Sequence, residues 1–180
     1  FRTDDRSEEG RSKFDLRELE VGFQGWLTDK VRVDLFLTKP SNEEFEIEEG
    51  FFTVKLPHGF VAKAGKYRLD FGKLNTTHET ARAFVDLPLP LLNFLGADQL
   101  NDTGLTVGRL IPNPWEHEIG LSFTVSNADN DVSFNGGSSS DPLLSARLYD
   151  LMPLSSSSDL EIGLNIATGP NDERGNHRTT

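Results

Sequence analysis

The sequence predicts an all-β fold: an antiparallel transmembrane β-barrel, of which this chain supplies about eight strands as a fragment of a larger barrel. Three observations predict it. Segments of about ten residues alternate apolar and polar side chains, which in a strand gives one oily face and one polar face. The connections between the segments go short, long, short, long, as when tight turns gather at one end of a barrel and long loops at the other. The polar positions are mostly small or charged, as a wetted wall requires.

The first strand is expected at 18–26, with Leu19, Val21 and Phe23 on one face and Glu18, Glu20 and Gln24 on the other. A tight turn at Thr28 and Asp29 leads to the clearest segment, 30–38. There Val31, Val33, Leu35 and Leu37 oppose Lys30, Arg32, Asp34, Phe36 and Thr38. After a polar loop at 40–44, the third strand covers 45–56, and its alternation slips at Glu48 and Glu49, the mark of a β-bulge. Pro57, His58 and Gly59 make the next short turn before a strand at 60–68.

The stretch 69–101 is too long for a hairpin link, and a loop of that length in a compact domain is usually functional. Thr76 and Glu79 have capping-box spacing, which predicts a short helix continuing through 80–83 and limited by Pro88 and Pro90. The apolar run 87–95 is expected to pack on the inner wall. The fifth strand is placed at 103–111, with a turn at 112–114. The sixth sets Ile119, Leu121, Phe123 and Val125 against Glu118, Gly120, Ser122 and Thr124. A polar loop at 127–142 precedes a strand at 143–152 and a turn at 153–158. The last strand sets Leu160, Ile162, Leu164 and Ile166 against Glu161, Gly163 and Asn165. Residues 1–13 read as a polar lead-in or loop, 14–168 as barrel strands and 169–180 as a polar loop, the whole being an internal piece of a longer chain.

The formal net charge of -11 disfavours nucleic acid, whose phosphates ask for Lys and Arg. Without cysteine there is neither a disulfide framework nor a thiolate metal site. The sequence contains no apolar run long enough for a transmembrane helix, which a β-barrel does not need. Trp26 and Trp115 fall beside short turns at one end, which fits an aromatic girdle at one membrane interface. A soluble β-sandwich binding module also uses alternating strands and is the alternative from another class.

The residues 46–56, then Ala64, Gly65, Lys66 and Tyr67, the pair Phe71 and Gly72, and finally Asn101, Asp102, Thr103 and Gly104 form a series of short motifs. Together they resemble the phosphate-selective porin (O and P) family, which has an acidic-then-aromatic strand, an Ala-Gly-Lys-aromatic strand end, a Phe-Gly pair, a long loop and an Asp-x-Gly start to the next strand. The match covers about a third of the chain, and the rest follows by rhythm. The resemblance implies that 69–101 folds into the barrel and narrows the pore. It also implies cationic clusters at the constriction, but here Lys73 and Arg82 stand against Asp70, Glu79, Asp86 and Asp98, so a phosphate filter is not supplied.

The function expected is an outer-membrane porin-like channel for passive diffusion of small polar or charged solutes, with the barrel part of a larger importer as the nearest alternative. The pore-lining candidates are Glu18, Glu20, Lys30, Arg32, Asp34, Lys63, Glu118 and Arg147, with Lys73 and Arg82 on the constriction loop. The lipid-facing set is Leu19, Val21, Phe23, Val31, Val33, Leu35, Leu37, Ile119, Leu121, Phe123, Val125, Leu160, Ile162 and Leu164. The expected partners are outer-membrane lipid and small solutes, with no nucleic acid, and assembly into a homo-oligomer is compatible with the pattern. No catalytic residue, cofactor or metal ligand is nominated. His58, His78, His117 and His177 have no ligand spacing, and the acidic run 127–131 lacks the Gly and Glu of an EF-hand.

Overall fold

A computed structural model describes residues 18–40, 44–78, 81–84, 86–136 and 141–171, and the backbone of 177–179. The chain forms an antiparallel meander in which each strand pairs with the next in sequence, nine among the described residues. The strands are β1 (Glu18–Trp26), β2 (Val31–Pro40), β3 (Glu46–Lys55), β4 (Phe60–Arg68), β5 (Asn101–Ile111), β6 (Glu118–Ser126), β7 (Leu143–Ser155), β8 (Ser158–Asn171) and β9 (His177–Thr179). Among the described residues the first and last strands do not pair with each other, so the sheet is open. The all-β antiparallel class is observed; closure into a barrel is not.

The alternation read from the sequence sets the register. Arg32, Thr53, Lys63, Thr106, Thr124, Ser145 and Ala167 are successive Cα partners across seven strands, so they share one face. Val31, Val54, Ala62, Val107, Phe123, Ala146 and Ile166 form the neighbouring row on the other face. The bulge expected in the third strand is present. Phe36 pairs with Glu49 and Leu37 with Ile47, which leaves Glu48 without a partner in β2. Gly65 crosses close to β3 with φ +135°, and a Cβ there would meet the Gly50 carbonyl oxygen at 2.2 Å, so the position admits no larger residue. Gly120 lies beneath the Tyr149 ring, whose Cε1 a Cβ would approach to 2.1 Å.

The burial of the two faces is the reverse of that in a soluble sheet. Phe123 is 59 % exposed and Leu164 72 %, whereas Thr124 on the opposite face is 2 % exposed. Every described member of the expected lipid-facing set lies on the apolar face and is half-buried or exposed. The long-loop end of the polar face is covered instead by the loops after β4 and β6.

Four expectations need correction. Thr76 does not cap the helix expected after it: it closes a helix, α1 (Gly72–Asn75), its hydroxyl donating to the Lys73 carbonyl at 3.1 Å, and beyond it the Ala81 N–H donates to the His78 carbonyl at 3.0 Å. Glu79 and Thr80 lie outside the described residues. Pro88 and Pro90 start a second helix, α2 (Leu89–Leu95), rather than limiting one. A first-turn proline loses no hydrogen bond, because helix N–H groups there have no partner within the helix. The turn expected at 153–158 is tighter, because β7 runs through Pro153 to Ser155. The polar tail is partly strand, since Gly169, Pro170 and Asn171 of β8 pair with β9. Residues 1–13 lie outside the described residues.

The apolar core sits at the long-loop end, where Tyr67, Leu69, Leu95, Leu100, Ala128, Phe134, Leu143 and Ala167 pack together. Of the apolar run, Leu91 and Leu95 join this core, whereas Leu89, Leu92 and Phe94 remain exposed. Asn75 ties it together. Its Nδ2 donates to the carbonyls of Leu69 (2.7 Å) and Leu100 (3.1 Å), and its Oδ1 accepts the Leu100 N–H at 2.8 Å. Asn75→Ala leaves the buried Leu100 N–H unpartnered, while the two carbonyls keep the N–H groups of Phe71 and Leu69, and should cost on the order of 2 kcal/mol. Hydrogen exchange at the Leu100 amide should then rise while that of β6 does not.

Candidate functional site

The polar face carries ion pairs whose partners come from different strands and from the inserted loop. Arg32 and Asp34, two apart on β2 and so on one side of it, form a bidentate pair with Arg32 Nη2 at 2.6 Å and Nε at 2.9 Å from the carboxylate oxygens. Arg147 on β7 donates to Glu161 on β8 at 2.6 Å and lies 3.8 Å from Asp70 of the loop. Lys73 of α1 reaches the other Glu161 oxygen at 3.1 Å. The Gly72 N–H donates to Asn165 Oδ1 at 2.8 Å, so the loop docks on β8 by both backbone and side chain. On the opposite flank Arg68 pairs with Glu48 at 2.7 Å and approaches Glu49 at 3.6 Å.

Between these flanks lies a groove of about 640 Å³, lined by Arg32, Asp34, Lys63 and Thr106 of the wall and by Asp70 and His78 of the loop. Lys63 Nζ stands over the rings of Phe51 and Tyr67, 3.8 and 4.2 Å from their centroids. Hydroxyls continue across the wall: Tyr67 to Thr106 at 2.7 Å and Thr106 to Thr124 at 2.6 Å. Hydroxyls accept and donate by rotation, so this buried strip satisfies its own polar groups across β4, β5 and β6.

The expected pore-lining residues are placed as follows. Arg32, Asp34, Lys63 and Arg147 lie on the polar face beside the loop. Glu18 and Glu20 lie on exposed β1, in register with Pro40 and Thr38. Lys30 sits in the exposed turn before β2, its N–H donating to the Thr28 hydroxyl at 3.2 Å. Glu118 is at the rim and accepts a hydrogen bond from Tyr149 at 2.7 Å. Of the loop cations, Lys73 meets the wall, but Arg82 turns back on its own loop, donating to the Thr77 carbonyl at 3.2 Å. The two tryptophans do not form one girdle. Trp26 is in register with Arg32 and lines the groove, with Lys55 over its ring at 4.4 Å, whereas Trp115 lies in the exposed turn after β5.

Several contributors were not singled out from the sequence. Arg68, Glu161 and Asp70 carry the flanking ion pairs; the signal for Glu161 was its place on the polar face of β8. The acidic run after β6 is a folded knot. Asn130 Nδ2 donates to the Leu95 and Gln99 carbonyls, both at 2.7 Å, and its Oδ1 accepts the Ser133 N–H at 2.8 Å. Buried Asp102 accepts the Ala128 N–H at 2.8 Å and so ties this loop to β5. Glu20, Glu48 and His78 come close enough to share a metal ion, a grouping of which the sequence gave no sign.

No protein-family model matches the chain, and no solved structure matches it. It is similar to an uncharacterized protein of Aquifex aeolicus (strain VF5), with 36 % identity over 103 residues. The match covers 56 % of this chain and 21 % of that protein, so this chain spans about a fifth of that relative's length.

Proposed function

We propose that this chain forms part of the wall of a bacterial outer-membrane β-barrel, a porin-like channel through which small polar or charged solutes diffuse passively. The observation that carries the reading is the reversed sheet: an apolar face open to its surroundings, and a face of hydroxyls and ion pairs covered by an inserted loop. A lipid environment favours that arrangement, because the apolar side chains then lie against hydrocarbon and every strand finds hydrogen-bond partners in its neighbours. Among the described residues no strand pairs with the outer side of β1, an edge that a further strand of the larger barrel would cover. The nine residues of β1 contain no proline, and soluble sheets usually blunt such an edge. Among the described residues no helix is long and apolar enough to cross a membrane, so strands would do the crossing.

In this reading 69–101 narrows the channel from within, held by Asn165, Glu161 and the loop core. Selectivity is weak, because Arg32 and Arg147 are each paired with a carboxylate. Replacing both with Glu leaves the acidic partners uncompensated. It should shift the reversal potential toward cations, and more so at low salt, where screening is weaker. An unmoved potential would remove both side chains from the conducting path. The reading itself is tested with purified full-length protein in a planar bilayer. Stepwise, ohmic conductance is expected; none from protein shown to have inserted would contradict it. A protein that stays monodisperse without detergent would favour a β-sandwich whose second sheet covers the apolar face.

A further inference from the structure

The bulge in β3 does more than bend a strand. In a regular strand, successive side chains point to opposite faces; the extra residue here lets neighbouring Glu48 and Glu49 both reach Arg68. Glu49 is 3 % exposed, and its Oε1 lies 3.5 Å from His78 Nε2, with no hydrogen-bond donor among the described residues. Glu48 uses Oε1 on Arg68, and its Oε2 is buried with no hydrogen-bond donor among the described residues. One guanidinium thus faces two carboxylates, and buried acceptor oxygens without donors are costly.

Two further groups converge on this point. Glu20 arrives from β1, and His78 arrives from the inserted loop, its ring held against Phe36 at a centroid distance of 5.3 Å. One ligand atom each from Glu20, Glu48 and His78 lies within 4.8 Å of the other two. Ligands around one tetrahedral ion at ordinary bond lengths stand about 3.4 Å apart, so small side-chain rotations would close the set. The three come from segments about thirty residues apart, a separation that sequence spacing rules do not cover.

We propose that Glu20, Glu48 and His78 bind one divalent transition-metal ion, with Zn²⁺ best suited to one imidazole and two carboxylates. Mg²⁺ and Ca²⁺ prefer all-oxygen sets and fit it less well. The ion would offset the carboxylate charge that Arg68 does not and would give the orphaned Glu48 oxygen a partner. It would also tie the inserted loop to the wall at β1 and β3, on the flank opposite the Glu161 contacts. That tether makes Zn²⁺ a regulator of the loop's position. The regulatory consequence rests on the channel reading; the binding site does not.

The test uses full-length protein in detergent, stripped with EDTA and titrated calorimetrically with Zn²⁺, with Co²⁺ absorption as a second readout. One ion per chain is expected, held more tightly than Mg²⁺ or Ca²⁺. His78→Ala and Glu20→Gln should each weaken it by about tenfold or more, whereas Glu116→Gln, in the exposed turn after β5, should not. Failure of the folded wild type to bind Zn²⁺, or binding unchanged in both variants, overturns the site. Should His78→Ala misfold, Glu20→Gln on the exposed first strand decides. In bilayers Zn²⁺ should reduce open-channel current fluctuations in the wild type and not in His78→Ala; equal fluctuations overturn the tether. Binding lost in both variants of a protein that does not conduct supports the site and removes the channel reading.

Discussion

Phe123→Arg in the reconstituted full-length protein should lower its unfolding free energy by about 2–4 kcal/mol if the residue lies near the bilayer midplane. Phe123 stands in the middle of the apolar face, in register with Val107 on β5 and Ala146 on β7. It is 59 % exposed, so no packed protein interior is lost by the change. On a water-facing surface the same substitution would be nearly neutral or would improve solubility. The penalty therefore reports the surrounding solvent rather than a cavity. Thr124→Arg, one residue on and on the polar face, supplies the contrast. It crowds the Thr106 hydroxyl contact at 2.6 Å, and its cost should not depend on the thickness of the lipid chains. A Phe123→Arg cost that is likewise independent of lipid thickness would mean that this face does not meet hydrocarbon.

Deleting residues 76–92 should raise single-channel conductance several-fold. The deletion spares Asn75, Leu95 and Leu100, which hold the loop's two ends in the core, so the wall should stay intact. It removes His78, which reaches toward Glu49, and the segment covering the groove beside Lys63. If that segment narrows the path, conductance rises with the freed cross-section. Unchanged conductance would place the loop outside it and leave the constriction to the wall.

The sheet was largely legible in the sequence because alternation is a local, one-dimensional signal. The first and fourth strands were read with the bounds they have, Glu18–Trp26 and Phe60–Arg68. The slip at Glu48 and Glu49 correctly marked a bulge, since one residue out of phase moves all that follow to the other face. Side-chain face was legible for Arg32, Asp34, Lys63 and Arg147 for the same reason. The loop was less so. Thr76 fits a cap by spacing, yet it closes α1, because Asn75 is pinned between Leu69 and Leu100 and fixes where the helix stops. Leu89, Leu92 and Phe94 belong to one apolar run with Leu95, yet only Leu95 enters the core, while Phe94 meets the Phe134 ring edge to face and stays exposed on its other side. Trp26 was assigned by its nearness to a turn, whereas its strand parity, shared with Gln24, sends it to the groove. The Glu20, Glu48 and His78 cluster depends on a strand, a bulge and a loop meeting in space, which no spacing in the chain encodes.

The account's central claim is that one face of this sheet meets lipid and the other meets water. The chain has no cysteine of its own, so single cysteines introduced along 118–126 of β6 read the claim position by position. In the reconstituted protein, fluorophores at Ile119, Leu121, Phe123 and Val125 should be quenched by nitroxide-labelled lipid and shielded from a water-soluble quencher. Those at Glu118 and Ser122, on the polar face of the same strand, should show the opposite preference. Quenching of Phe123 and Leu121 positions by the aqueous reagent, or their shielding from both reagents, would contradict it.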